Sequence, residues 1–450
     1  MANDSASPRA AGLDGWADLA LERRVVRKTA ARIVPLMVLL YIVSYIDRIN
    51  IGFAALTMNR DLGIDSRAFG LAAGIFFVGY FLFEVPSNVM MVKYGARRWI
   101  ARILLTWGLL SCATAWVGGE RSFLVLRFLL GAAEAGFFPG IIYYLGDWFP
   151  ARYRGRILAA FMFALPASLA LGAPLSTALL RIDGLWGWHG WQWMFIAEGV
   201  PPVLLSVVAF LLLKDAPRDA RWLSETERNW LGAELARERS AIEPEPGHPL
   251  KIAFAHPVVL LLAFVYFCAT SANLGLSFFL PQMLRQQGYS IAAAGWITSA
   301  TYVAGSVGMV GFGALADRLS GSRGCLAATL LIAAVGLACA GWLESGVYAI
   351  VALGIAAVGI LGSKAPFWTI PPTFLRGSAA AAAIASINSI GNLGGFAGPF
   401  LLGWVRNVTH DYRGGLYVLS AALLLCAGLA GLLRTRAREP RADADAPVSG

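Results

Sequence analysis

Charge is scarce in this 450-residue chain, where Lys, Arg, Asp and Glu together make up 14% of the residues, against about 25% in an average soluble domain. Histidine is scarcer still, with four. The five cysteines are scattered in or beside apolar stretches, with no CxxC and no neighbouring histidine pair. They read as small buried apolar residues, not as a metal site or a disulfide framework. The shortage of charge, with a mean hydropathy of +0.63, excludes a soluble enzyme, a disordered chain and a nucleic-acid-binding protein. An outer-membrane barrel is excluded because its strands alternate polar and apolar residues. Residues 1 to 20 lack the apolar core of a cleavable signal peptide, so the first spanning helix is expected to act as the insertion signal. What is abundant is apolar, at 58% of the chain. That composition leaves an all-α polytopic membrane protein.

At about 20 residues per span, polar breaks delimit twelve helices. The first six run 33 to 56, 68 to 92, 98 to 118, 122 to 145, 156 to 180 and 193 to 213. The second six run 254 to 280, 291 to 315, 324 to 343, 346 to 372, 378 to 404 and 415 to 434. Basic residues should gather in alternate loops on the cytoplasmic side. With both termini cytoplasmic in a plasma membrane, 27 of the 37 Lys and Arg residues fall in cytoplasmic segments or at the cytoplasmic ends of spans, and only Arg48, Arg127 and Lys364 fall deeper inside spans. The net charge of +10 is therefore a topology signal and not evidence of a nucleic-acid partner.

Residues 214 to 253 separate six spans from six. The segment Lys214 to Lys251 holds 15 charged residues and a proline-rich run from Glu243 to Pro249. Within it Ser224-Glu225-Thr226-Glu227 has the capping-box form, and Leu231 and Leu235 lie one turn apart, so a short amphipathic helix is expected. The resulting domains are a 1–32 cytoplasmic segment, a 33–213 bundle, a 214–253 linker, a 254–434 bundle and a 435–450 tail. The bundles look duplicated. Val92 to Arg98 follows the second span as Gly313 to Arg323 follows the eighth, and Arg154-Gly155 follows the fourth as Arg376-Gly377 follows the tenth. Parallel duplication of this kind puts a cavity at the interface between halves.

An ionised side chain at mid-membrane costs about 2.5 to 3.5 kcal/mol on insertion scales, so it usually faces protein or a water-filled cavity. In the first span, Tyr41, Tyr45 and Arg48 share one helical face, with Asp47 turned about 100° away. In the fourth, Arg127 and Glu134 lie two turns apart on one face with Gly131 between them. An arginine fork can hold a carboxylate through two hydrogen bonds. Arg48, Asp47, Arg127 and Glu134 could also simply pair with one another across helices. Glu84, near Pro86, reads as a packing or gate hydrogen bond before a proton carrier, and Glu198 as a residue below an aromatic belt. Lys364 either snorkels or supplies a cation to the cavity. Asn388 could meet substrate or a neighbouring helix. Trp368 offers an aromatic wall, or packing.

The run Gly313-Ala314-Leu315-Ala316-Asp317-Arg318 resembles the loop signature of the major facilitator superfamily. More specifically, Tyr45 to Ala54, Phe83 to Asn88, Arg127 to Gly140, Gly190 to Phe195 and Ile387 to Phe396 resemble the anion:cation symporter family, the branch of tartrate, phthalate and hydroxyphenylacetate transporters. The resemblance implies the two-bundle, twelve-helix fold and proton-coupled uptake of a small organic anion by alternating access. It implies anion contacts at Tyr45, Arg48, Arg127 and Asn388, to which we add Trp368, and proton-linked acids at Asp47 and Glu134. It implies gating at Arg97, Arg98, Asp317 and Arg318, to which Glu84 is added. Val92 departs from the pattern by standing where the superfamily has an acid, which puts the usual ion pair of the first-half loop in question.

No cofactor or metal is expected, only a proton as coupling ion, and the chain is expected to act as a monomer in the bilayer. A proton-driven exporter or exchanger shares the fold, but would favour acids unpaired with arginine. An embedded enzyme would need a nucleophile-base pair or metal cluster, and the four histidines lie in loops or at span ends. A sensor would need a long cytoplasmic tail.

Overall fold

A computed structural model describes residues 8–240, 256–319, 322–343, 345–371 and 377–432, and its regular elements are all helical. The first half comprises α1 (Pro8–Asp61), α2 (Ser66–Tyr94), α3 (Ala96–Ala113), α4 (Glu120–Glu134), α5 (Phe137–Trp148), α6 (Ala151–Met162), α7 (Ala164–Leu179) and α8 (Gly190–Leu212). The linker contributes α9 (Glu225–Ser240). The second half comprises α10 (Pro257–Gln286), α11 (Ile291–Leu319), α12 (Ser322–Leu343), α13 (Val347–Gly362), α14 (Lys364–Trp368), α15 (Gly377–Asn392), α16 (Gly394–Thr409) and α17 (Arg413–Leu432).

Eleven stretches among the described residues are long and apolar enough to cross a membrane, where the sequence suggests twelve. The difference is the span at 378 to 404, which is built as α15 and α16, sixteen residues each. At 1.5 Å per residue each covers about 24 Å, less than a hydrocarbon core of about 30 Å, so only the pair spans. Three other expected spans are also divided: α4 from α5, α6 from α7, and α13 from α14. Each division stands three or four residues before a proline, namely Pro139, Pro166 and Pro366. Proline has no N–H to give the carbonyl four residues back, so the ladder opens there. At Phe163 and Ser363 the backbone stays helical in dihedral angle. At Ala135-Gly136 it leaves the helix, with ψ of 133° and then φ of +82°. A side chain at Gly136 would be strained by that φ and would meet Ser87 Oγ at 2.6 Å.

The halves meet mainly at the end remote from α9. There α2 packs against α16, α7 against α11, and α1 against α10. A Cβ on Gly70 would lie 2.5 Å from the Pro399 carbonyl, Phe69 meets Phe279 edge to face at 5.3 Å, and Ser299 Oγ donates to the Ala170 carbonyl at 2.7 Å. Toward α9 this closure is lost. From Ala68 to Tyr80 nearly all of α2 is covered, whereas Leu82, Phe83, Val85, Val89, Met90 and Val92 are exposed around much of its circumference. The cleft between halves is therefore open on the linker side.

Helix α9 begins as the sequence spells it. The Ser224 amide donates to Glu227 Oε2 at 2.9 Å, and the Glu227 amide donates to Ser224 Oγ at 3.2 Å. Leu231 and Leu235 are buried. The helix docks on the first half: Glu227 pairs with Lys28 at 2.6 Å, and Glu238 takes Arg154 at 2.9 Å and the Ala151 amide at 2.7 Å. No break occurs near residue 32, because α1 runs on unbroken from Pro8. The expected linker beyond residue 240, the 435–450 tail and Arg376 lie outside the described residues.

The hydrogen bond from Lys28 holds the Glu227 carboxyl below its ordinary value. A depressed carboxyl pKa contributes stability that is complete above the unfolded value of about 4.3 and is lost as pH falls through the lower folded value. Hydrogen exchange of α9, corrected for intrinsic rates, should therefore quicken as pH drops below about 4. Lys28→Gln should loosen it at pH 7 by about 0.2–1 kcal/mol. Protection indifferent to both changes would contradict this docking.

Candidate functional site

Arg48 lies on α1 one turn beyond Ser44, and Glu134 is the last residue of α4. Their side chains form an ion pair across the two helices, and Ser44 Oγ donates to the same Glu134 oxygen at 2.8 Å. The Glu134 side chain is 1% exposed and that of Arg48 14%, so the pair is reached from the Arg48 side. A carboxylate at a helix C-terminus faces the negative end of the dipole, and the arginine offsets both charges. Arg48 also stands 5.5 Å from the Phe76 and Tyr80 ring centres and 5.8 Å from that of Tyr45.

Arg127, two turns before Glu134 on α4, does not pair with it. It is 1% exposed and gives its Nε to the Ala72 carbonyl at 3.3 Å, with Nη2 left without a partner. Its guanidinium lies 4.8 Å from the centre of the same Phe76 ring that Arg48 approaches. It therefore sits behind the cleft wall, between α4 and α2.

Asp47 likewise points away from the cleft. It accepts hydrogen bonds from Trp107 Nε1, Ser111 Oγ and, at 3.1 Å, Asn50 Nδ2. The tryptophan and amide nitrogens can only donate, so both carboxyl oxygens of Asp47 are engaged within the first half. Asn50 also reaches toward Glu198, which is buried with one oxygen bonded to Ser176 at 2.7 Å and the other unpartnered. Glu198 is thus part of the first half's polar interior, on the helix that Trp191 and Trp193 open.

Toward α9 the cleft has two unlike walls. On the first half stand Tyr41, Tyr45, Tyr80 and Glu84, all buried, with Glu84 Oε2 lacking a partner. On the second half Tyr266 stacks on Phe367 at 5.2 Å and meets Trp368 edge-on at 5.1 Å. Tyr266 lies within electrostatic reach of Tyr45 and Glu84 across the gap. Asn388 is one turn before Gly391, where a Cβ would strike the Tyr266 ring at 1.9 Å. That closeness orients the amide's face toward α10.

Arg97, an expected gating residue, binds the end of α8: its backbone N–H donates to Asp215 Oδ1 at 2.9 Å, and its side chain donates to the Phe210 carbonyl. Asp215, from after the sixth span, thus binds the start of α3 through a backbone amide, while the Arg97 guanidinium takes a carbonyl. Arg98 and Arg318 are exposed, and the Asp317 side chain lies outside the described residues.

Sequence reasoning passed over Ser44, Trp107, Ser111 and Tyr266. Tyr266 stands 225 positions after Tyr41, as Asn273 does after Arg48, and projecting one half onto the other would have found both. Trp107 and Ser111 carry no such signal, since a tryptophan or serine in an apolar span reads as packing.

The Major Facilitator Superfamily profile matches residues 37–399 and 262–448. A protein of Agrobacterium vitis provisionally named as a tartrate transporter is 48% identical over 420 residues, covering 93% of each chain. The quinolone resistance transporter of Acinetobacter baumannii is 43% identical, over 90% of this chain and 93% of that one. Among solved structures, a bacterial homologue of the human lysosomal transporter Spinster, inward-facing and occupied, superimposes with a TM-score of 0.74 at 16% identity, covering 89% and 96%.

Removing one partner from a buried ion pair leaves an uncompensated charge and costs about 3–5 kcal/mol. Arg48→Gln should therefore lower the unfolding temperature in detergent markedly, and Arg48→Gln/Glu134→Gln should regain most of that loss. If the double variant is as unstable as the sum of its singles, the pairing is wrong.

Proposed function

Since the chain belongs to the major facilitator superfamily, and is a multi-pass membrane transporter and not an enzyme, we propose that it carries a small organic anion inward with a proton by alternating access. The observation that carries this reading is the Arg48–Glu134 pair at the cleft wall. While Glu134 is ionised it occupies Arg48, and an anion must compete with an internal carboxylate for it. Protonating Glu134 frees Arg48, so proton and anion favour each other's binding, and by linkage the favour is reciprocal. With both bound, the site carries no more net charge than with neither, which keeps the closed intermediate accessible.

In this reading Arg48, Tyr45 and Tyr80 hold the anion from the first half, and Tyr266, Trp368 and Asn388 face it from the second. Asp47 and Arg127 act from behind the wall as fixed charges. Arg97 and Asp215 hold the α2–α3 turn to the end of α8 while the halves rock. The membrane is the bacterial inner membrane with the α9 side cytoplasmic, as the basic residues of that side favour. The substrate is a carboxylate such as tartrate, phthalate, hydroxyphenylacetate or a sugar acid, and the 48% identical relative favours the first.

Export is a second reading, favoured by the 43% identical quinolone resistance relative. The same pair run in reverse would exchange an outgoing compound for an incoming proton. The two differ in the sign of proton flux that accompanies substrate.

In proteoliposomes with an inward proton gradient, Glu134→Gln should lose accumulation of labelled organic acid by at least about tenfold, within the 5- to 150-fold range of typical coupling. It should retain counterflow exchange, since a neutral residue leaves Arg48 free. Full gradient-driven accumulation by this variant would sink the proton-coupling role.

A further inference from the structure

We propose that Lys364 binds a second carboxylate, so that the preferred substrate is a dianion gripped by Arg48 on one half and Lys364 on the other. This rests on the organic-anion reading above and narrows its substrate class.

Lys364 opens α14, directly after the ladder break at Ser363. At 100° per residue its direction falls between those of Phe367 and Trp368. Both of those side chains pack on Tyr266 of α10, so the lysine shares the face turned to the cleft-lining helix. A snorkelling lysine would lie instead on the lipid face. Lys364 is only partly exposed, and it has no ion pair or hydrogen bond among the described residues. Arg48, in contrast, already has Glu134. A cation held in a span without a counter-charge is unfavourable until an anion reaches it.

The two cations differ in what they ask of a ligand. Arg48 releases its internal carboxylate only when Glu134 is protonated, whereas Lys364 has no carboxylate to release among the described residues. A monoanion satisfies Arg48 and leaves Lys364 uncompensated. A dicarboxylate satisfies both and, because they stand on opposite halves, draws together the walls that this structure shows apart on the linker side. The aromatic group of Tyr266, Phe367 and Trp368 beside Lys364 excludes water from that second contact and strengthens it.

The test compares tartrate with threonate, which share a four-carbon hydroxylated frame and differ by one carboxylate, and phthalate with benzoate. Binding of each acid to the purified full-length protein in detergent is measured at low ionic strength for wild type, Lys364→Gln and Lys364→Arg. A hydrogen bond to a charged group corresponds to about tenfold or more in affinity. The wild type should favour the dianion of at least one pair by that factor. Lys364→Gln should reduce the dianion-to-monoanion ratio about tenfold, and Lys364→Arg should restore most of it. Because the readout is a ratio, binding of the monoanion by the same variant reports that it is folded. An unchanged ratio in Lys364→Gln overturns the proposal and returns Lys364 to snorkelling. Binding of none of the four acids by the wild type would instead overturn the organic-anion reading itself. A variant that binds neither member of a pair the wild type binds assigns Lys364 to folding, which also overturns the proposal.

Discussion

A guanidinium inside a membrane span is costly unless a carboxylate or backbone carbonyls receive it, and the first half of this molecule is arranged around supplying a carboxylate to Arg48. Glu134 can reach it because α4 ends at that residue. The helix ends because Pro139 cannot donate to the Ala135 carbonyl, and because Gly136 can take φ of +82° where another residue would be strained. Ser44, one turn from Arg48, gives the carboxylate a further donor. Phe76 takes both Arg48 and Arg127 against one ring, and a quadrupole that attracts cations lets two like charges stand near each other at reduced cost. The pair, the broken helix and the shared ring are consequences of one requirement.

The halves divide the remaining work unequally. Nearly all the ionisable groups described within spans, Asp47, Arg48, Glu84, Arg127, Glu134 and Glu198, belong to the first half, while the second contributes Lys364 and an aromatic group around Tyr266. Glycines bring α2 and α16 close at the end remote from α9, because small residues at a helix interface let the backbones approach.

The sequence made some of this legible and not the rest, for definite reasons. Spacing along α1 put Tyr45 and Arg48 on one face and turned Asp47 off it, and the structure has Asp47 facing Trp107 and Ser111 as that rotation requires. The capping box at Ser224 was legible because it is local. Spacing along α4 put Arg127 and Glu134 on one face two turns apart, as the helix has them, but said nothing of what either side chain meets. Which arginine meets Glu134 is decided by how α1, α2 and α4 pack, and a period of 3.6 residues carries no information about neighbouring helices. The proline-linked divisions at Ala135, Phe163 and Ser363 were written in the sequence, but an apolar count that measures only span length passes over them.

One consequence of the geometry constrains how a proton could drive movement. Arg48, Glu134 and Ser44 all lie within the first half, as do Asp47 and its donors. Protonating Glu134 therefore makes or breaks no contact between the halves. A change that has equal free energy in two conformations cannot shift the balance between them. On the proposed reading, what crosses the gap is the bound anion, held by Arg48 on one wall and by the Tyr266, Trp368 and Lys364 side on the other. The proton would then decide whether an anion can occupy Arg48, and the anion, by touching both walls, would decide whether the halves close. Coupling so proposed is a property of the ligand's reach, and an anion too short to touch the second wall would bind with a proton and still fail to be carried.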